Sequence, residues 1–346
     1  MSTISTTPPV APKAADVIDM LQAALGRDGQ VGLATIIDTW GSAPVPVGGQ
    51  MAIAADGSFA GSVSGGCVEG EVITEAVELF EGGAPKTLSY GVEDETAWRV
   101  GLPCGGKIRV FVERLQGKEG RAYVGALAEA RAKRRPIVVS TRLSDGGRKI
   151  VGRDEAGADG PLAHRFLSGL SSVEAGADDE MFVHARLPPP RIVIIGATHI
   201  AQILAELVRL TGFKPIVVDP RTAFAAEQRF PGIELITDWP QDALPKLGLD
   251  PYTAVAALAH VGHIDDEALK LACRAECFYI GALGSRKNHA KRVERLAAAG
   301  LTPTEIERIR SPIGLDLGAT MPPEIALAIM AEILRHLRGA KGKGAA

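Results

Sequence analysis

The chain has 346 residues, 46% of them hydrophobic and 23% charged, with a formal net charge of −3. At roughly 100–200 residues per domain, that length predicts two domains. The charge leaves no electrostatic footprint for nucleic acid, and no apolar run approaches the ~20 residues that span a bilayer, so neither is expected as a partner. Glycine is in excess, at 40 residues, yet shows no collagen period. The glycines sit between apolar runs and read as turns where a missing Cβ matters. The four cysteines do not make a disulfide scaffold. With no basic-then-apolar secretory start, the expected compartment is a reducing cytoplasm with free thiols.

Residues 1–13 are polar and proline-rich and read as a disordered tail. An N-terminal domain is expected over 14–187. Residues 16–25 have apolar spacing of helical type, through Val17, Leu21, Ala24 and Leu25. A buried strand is expected at 31–38, and short strands at 51–55 and 59–63 across a hairpin turn at Asp56-Gly57. Residues 67–80 read as a helix stopped by Gly82-Gly83. Strands follow at 86–92 and 107–113, a helix at 123–132, and a strand at 136–142 ending in a turn at Asp145-Gly146-Gly147. Elements at 162–170 and 181–186 complete this half.

Pro188-Pro189-Pro190 is the clearest boundary. Three prolines cannot continue a helix or a central strand, so 188–190 reads as a stiff linker. Beyond it, over 191–340, strands and helices alternate. Strands are expected at 192–195, 215–218, 233–236, 254–258 and 277–280. Helices are expected at 200–210, 223–230, 265–274, 287–299 and 324–337. Thr302-Pro303-Thr304-Glu305 combines a capping box with proline at the first helical position, another helix start. Alternating βα units with uniformly apolar strands mean a parallel sheet covered on both faces. The fold class is therefore α/β: an N-terminal α+β domain followed by a Rossmann-like, doubly wound parallel-sheet domain.

The first strand of the second half runs into Gly196-Ala197-Thr198-His199-Ile200-Ala201, where a dinucleotide fingerprint has its glycine turn. Gly196 makes the tight turn, and Asp219 ends the second strand, where an acid would hold a ribose hydroxyl. The fingerprint's middle glycine is Thr198, whose Cβ hinders the usual backbone approach to a pyrophosphate. The turn serves either a phosphate-bearing ligand, such as NAD(P) or another nucleotide, or packing alone. Ligands of such sheets bind beyond the carboxyl ends of the strands. That edge also gathers Arg221, His260, His263 and the run from Gly281 to Lys287. Within the run, Gly284, Ser285 and Arg286 make a turn at a helix start suited to an anion, or a solvated basic helix start. His260 and His263 have no third metal ligand in view.

In the first half, Cys67 follows Gly65 and Gly66 at the expected helix start. The positive end of a helix favours its thiolate, a soft ligand for a transition metal, although Glu69 and Glu71 oppose that if they point inward. Cys104 sits in a similar turn ahead of Gly105-Gly106. Each cysteine also suits a small buried hydrophobe. Neither has the C-x-x-C spacing of a zinc or thioredoxin site. No nucleophile elbow, metalloprotease helix or complete Walker loop is present, which points to a binding protein rather than a turnover enzyme.

Several segments together carry a family likeness. They are 41–51 (GSAPVPVGGQM), 64–72 (SGGCVEGEV) and Cys104-Gly105-Gly106 in the first half. In the second they are 217–232 (VVDPRTAFAAEQRFPG), 279–296 (YIGALGSRKNHAKRVERL), 311–319 (SPIGLDLGA) and 322–334 (PPEIALAIMAEIL). On these the chain resembles the XdhC/CoxI family of xanthine dehydrogenase accessory proteins. It departs from the family pattern at Val45, Thr198 and Val261. The resemblance implies a chaperone that binds the molybdenum cofactor, molybdopterin with its metal. Such a chaperone protects the cofactor, supports its sulfuration with a cysteine desulfurase, and delivers it to a molybdenum hydroxylase apo-enzyme. It implies Cys67 as the cofactor-binding thiol and candidate molybdenum contact. The segment from Asp219 to Arg221 and the turn from Gly281 to Lys287 would line the Rossmann-side cleft. A homodimer is expected. The alternative is an NAD(P)-dependent oxidoreductase or a nucleotide-sensing regulator using the Rossmann-like domain.

Overall fold

The computed structural model describes residues 16–41, 43–91, 106–157, 160–176 and 179–339. The expected tail at 1–13 and Cys104 lie outside the described residues. Internal contacts divide the chain into two compact units between Leu187 and Pro188.

In the first unit, α1 (Val17–Asp28) is capped by the Asp16 carboxylate, which accepts the amides of Ile18 and Asp19. Then follow β1 (Gln30–Trp40), β2 (Gln50–Ile53), β3 (Phe59–Gly61), α2 (Glu69–Glu78), β4 (Lys86–Tyr90), β5 (Lys107–Gln116) and α3 (Gly117–Ala132). After them come β6 (Ile137–Arg142), β7 (Arg148–Gly152), α4 (Arg153–Ala156), α5 (Ala163–Ser168), β8 (Ser172–Ala175) and β9 (Glu180–Arg186). The strands form two antiparallel sheets, ordered β3-β2-β1-β5-β4 and β7-β6-β9-β8. β1 is buried without a break from Val31 to Ile37. Val31 and Leu33 pack with residues of α1 and α3, while Ala34 and Ile36 pack with Val72 and Ala76 of α2. A strand covered on both faces loses polar alternation. β7 and β8 were not expected from the sequence; they are edge strands, where the apolar signal is weakest.

In the second unit, β10 (Arg191–Ile195), α6 (His199–Leu210), β11 (Lys214–Val218), β12 (Glu234–Ile236), α7 (Pro240–Leu247), β13 (Thr253–Ala257), α8 (Gly262–Arg274) and β14 (Tyr279–Ala282) come first. They are followed by α9 (Arg286–Ala298), α10 (Pro303–Glu307), β15 (Ile309–Arg310) and α11 (Pro322–Gly339). The six strands are parallel, in the order β12-β11-β10-β13-β14-β15. Ile192 and Ile194 face a core shared with α6 and α11. Val193 and Ile195 face the opposite core, with Ala243, Leu244, Ala268, Leu269 and Leu296 of α7, α8 and α9. This is the doubly wound arrangement expected from the alternating pattern.

In the second unit three elements differ from expectation, one being the unexpected two-residue edge strand β15. The helix expected at 223–230 is a single 3-10 turn at Glu227–Arg229. There the Arg229 guanidinium takes the carbonyls of Ala197 and Phe224, and Ala226 is extended. Helix α7 was unexpected because Pro245 lies inside it. Pro240 opens α7 at a position that needs no amide hydrogen, and the helix ends two residues after Pro245.

Candidate functional site

The loop before α2 is built around one carboxylate. Glu69 is buried and turns back into the loop. It accepts the amides of Val63, Ser64, Gly65 and Gly66 at 3.2, 2.8, 3.0 and 2.9 Å. It also accepts the hydroxyls of Ser62 and Ser64. The next two amides, of Cys67 and Val68, donate to Ser64 Oγ at 3.0 Å each. Gly65 and Gly66 have φ of +78° and +118°, a path that side chains resist. Burial works against ionisation of Glu69, but the serine hydroxyls and loop amides outweigh it and hold its pKa at about 2. The loop is thus an anion nest whose anion is part of the chain.

Cys67 sits in this loop. The expected helix start is displaced: α2 begins at Glu69, with Val68 as its N-cap. Ser64 Oγ has already claimed the amides of Cys67 and Val68. The thiol is free and partly exposed. Cys273 and Cys277 are buried, and burial pushes their thiols up to about 11 and about 12. Among the described residues, Cys67 is therefore the thiol that solvent or a ligand can reach.

The glycine turn of the second unit is also closed by a carboxylate. Gly196 has φ +98°, and a Cβ there would stand 2.4 Å from the Ala259 backbone. Close packing requires this glycine. Thr198 is the N-cap of α6, and its side chain accepts the Ala201 amide at 3.3 Å. Asp219 is fully buried and bridges the turn. Oδ2 accepts the Ala197 amide at 2.7 Å, and Oδ1 accepts the Arg221 amide at 2.9 Å. Arg221 also clamps both oxygens, with Nε and Nη2 at 2.8 and 2.7 Å. Burial works against ionisation, but Arg221 and the two amides hold the carboxyl below its usual range. Asp219 presents no exposed oxygen to a ribose hydroxyl. Arg221 lies over the Phe224 ring, 4.3 Å from its centroid.

A third group of predicted residues lies after β13 and β14. His260 is exposed in a left-handed conformation, φ +59°. Ser285 caps α9 and accepts the Asn288 amide at 3.3 Å, and Arg286 opens the helix exposed to solvent. A Cβ at Gly284 would meet Asn288 at 3.5 Å and Arg292 at 3.8 Å. His260, Asn288 and Arg292 line one cavity with Asp265. Gly196 packs on Ala259, whose amide donates to Asp265. The turn at Gly196, the Asp219–Arg221 pair, His260 and Gly284 are therefore linked by a chain of contacts. Gly65, Gly66 and Cys67 form a separate cluster in the first unit. Arg292 was missed from the sequence, where it reads as a helix-face charge, and Asp265 reads there only as a local partner for the loop histidines His260 and His263.

The first unit holds one more buried ionisable pair. Glu113 is joined to Arg148, whose guanidinium lies 4.1 Å from the Tyr123 ring centroid. Burial pushes the Glu113 carboxyl up to about 7, against the pull of Arg148. Among the described residues, no group of three or more His, Cys, Asp or Glu side chains is placed to hold a metal ion. No described helix is long and apolar enough to cross a membrane.

The family model for the XdhC Rossmann domain matches residues 192–333, and that for the XdhC and CoxI family matches 24–91. A Bacillus subtilis protein, named as one subunit of a probable xanthine dehydrogenase, is 31% identical over 328 residues, covering 91% of this chain and 96% of that one. The chain belongs to the XdhC and CoxI family. Another similar protein is the Escherichia coli molybdenum cofactor insertion chaperone PaoD, 29% identical over 90% of this chain and 85% of its own length. A crystal structure described as a xanthine dehydrogenase from Bacillus halodurans superposes with a TM-score of 0.70. It is 27% identical and covers 96% of this chain and 98% of that one. In this XdhC and CoxI member the Cys67 loop falls within the N-terminal match. The Asp219 and Asp265 sites fall within the XdhC Rossmann match, and Cys104 falls outside both.

Proposed function

We propose that the chain carries the molybdenum cofactor as cargo, protects it, and passes it to the apo-form of a xanthine dehydrogenase-type molybdenum hydroxylase. The observation that carries this reading is Cys67: a free, partly exposed thiol in a loop whose neighbouring amides are already satisfied. Thiolate is a soft ligand suited to such a metal. A single protein sulfur is enough when the cargo brings its own dithiolene. The names of the Bacillus subtilis and Escherichia coli relatives support the same role. The finer parts of the proposal are sulfuration of the cargo with a cysteine desulfurase, action as a homodimer, and a cytoplasmic setting. Gly65 and Gly66 shape the approach to the thiol, and Cys104 is a further candidate cofactor-binding residue. In the second unit the proposed cofactor-side residues are Arg221, His260, Gly284, Ser285 and Arg286; Gly196 and Asp219 are taken up by the turn itself.

The test is to isolate the protein from cofactor-producing cells, oxidise it, and measure the fluorescent pterin released. Wild type retains pterin. Cys67→Ser is expected to lower retention by about tenfold or more, a ligand-scale loss, and Cys104→Ser by less. Equal retention by both variants would remove Cys67 from the site. Wild type without pterin, where a known carrier retains it, would end the carrier reading.

A further inference from the structure

The carrier thiol leaves a charged cavity in the second unit without a use. It has a volume of about 200 Å³ and lies between α8 and α9. Arg292 and Asp265 line it, yet they are only 5% and 1% exposed. Arg292 donates from Nη2 to the Leu283 carbonyl at 2.9 Å, which fixes the guanidinium against the turn before α9. Its Nε and Nη1 have no hydrogen-bond partner. Asp266 Oδ1 stands 3.7 Å from Nε, but that carboxylate is held by Arg295 at 2.5 and 3.1 Å. Asp265 accepts the Ala259 amide on Oδ1 at 3.1 Å, while Oδ2 has no partner. His260, Gly262, Asn288, Lys291 and Arg295 complete the lining.

Two unpaired guanidinium donors and an unpaired carboxylate oxygen in one buried place are costly unless something pairs them. The pairing group must accept from Arg292 and offer a hydrogen to Asp265. It must suit a rim bearing Lys291 and Arg295. The volume is below the ~300–1,000 Å³ of whole-ligand pockets, so it fits a head group and not an entire cofactor. We propose that this cavity binds a phosphate group that carries a proton, either free phosphate or the monoester end of a larger ligand. A phosphate oxygen accepts from Nη1, and a P–OH donates to Asp265 Oδ2. Burial pushes the Asp265 carboxyl up to about 6, beside the second pKa of a phosphate monoester near 6, so one proton serves the pair. Sulfate has the same shape and no proton to give at neutral pH. A nucleotide and the phosphate-bearing pterin of the carrier reading are the two sources with this chemistry.

The experiment is calorimetric titration of the full chain with inorganic phosphate and with sulfate, at pH 7.5 and fixed ionic strength. Phosphate is expected to bind about tenfold or more tighter than sulfate, the worth of one hydrogen bond to a charged group. Asp265→Asn donates to either anion and is expected to bring the two within about threefold. Arg292→Lys loses the fixed Nη1 donor and is expected to weaken both by about tenfold. Equal affinity for the two anions in wild type, or no phosphate binding, overturns the proposal. So does an unchanged preference in folded Asp265→Asn. The wild-type comparison decides even if the variants fail to fold. Adenosine 5′-monophosphate and the oxidised, phosphate-bearing pterin are then tested as competitors. Competition by one of them supports the monoester form and names its source; competition by neither overturns it. A protein that retains pterin but ignores phosphate keeps the carrier role and loses this cavity. Phosphate binding without pterin retention does the reverse.

Discussion

Glu69 and Asp265 are both buried carboxylates beside turns, yet they stand in opposite states. Glu69 is saturated: four amides and two hydroxyls point at it, and its pKa falls to about 2. Asp265 keeps an oxygen without a partner, and its pKa rises to about 6. Asp219 belongs with Glu69, since Arg221 and two amides consume both its oxygens. A saturated carboxylate finishes a loop, whereas an unsaturated one leaves a place for something else. The presence of a glycine turn does not separate these cases; the donor count does.

The largest expected effect is at Asp219. Asp219→Ala leaves Arg221 and the Ala197 amide without their acceptor and should cost about 3–5 kcal/mol in urea unfolding. A cost below about 1 kcal/mol would show that Asp219 is not the structural bridge described. Next is Glu69→Gln, which keeps one acceptor oxygen and loses the charge, at about 2–3 kcal/mol. The pH dependence adds a signature. Glu69 has a folded pKa of about 2 against an ordinary 4.5, so its stabilisation is full above 4.5 and lost as pH falls toward 2. Asp265 has the reverse sign. Its folded pKa of about 6 exceeds the ordinary 3.8, so the folded state holds the extra proton and stability declines as pH rises from 3.8 to 6. Asp265→Asn should therefore raise stability at pH 7.5 by about 1–2 kcal/mol and flatten that decline. A destabilised Asn variant would mean that Asp265 is saturated after all. The smallest effect is at Thr198. Restoring the fingerprint glycine with Thr198→Gly should cost only a few tenths of a kcal/mol, since glycine is a tolerable N-cap. It should not create NAD(P) binding, because Asp219 stays sealed; titration with NAD(P)H fluorescence checks this.

The parallel sheet was legible because β10 and β13 are apolar after their first residues, Arg191 and Thr253, which is the mark of a strand covered on both faces. The antiparallel edges β7 and β8 were not, since solvent on one side dilutes their pattern. Cys67 stands out by its glycines, but the helix begins two residues later than the pattern suggests. Glu69 reads in the sequence as an obstacle to the thiolate, when its main work is to hold the loop. A signal was present: two serines and two glycines ahead of a glutamate, in the manner of a capping residue that reaches backward. Arg292 gave no such signal. It lies in Ala290-Lys291-Arg292-Val293-Glu294-Arg295, a run that reads as a solvated helix face. Only packing against the Leu283 turn buries it, and packing is not a local property of sequence.

The closed hydrogen-bond shell around Glu69 bears on how cargo would leave. A loop that must order itself around a guest gives that ordering back on release, which makes the exchange slow and dependent on motion of the loop. Here the loop is held from within by its own glutamate. Under the proposed carrier role, handover to a client would be a contest between two sets of ligands for one metal.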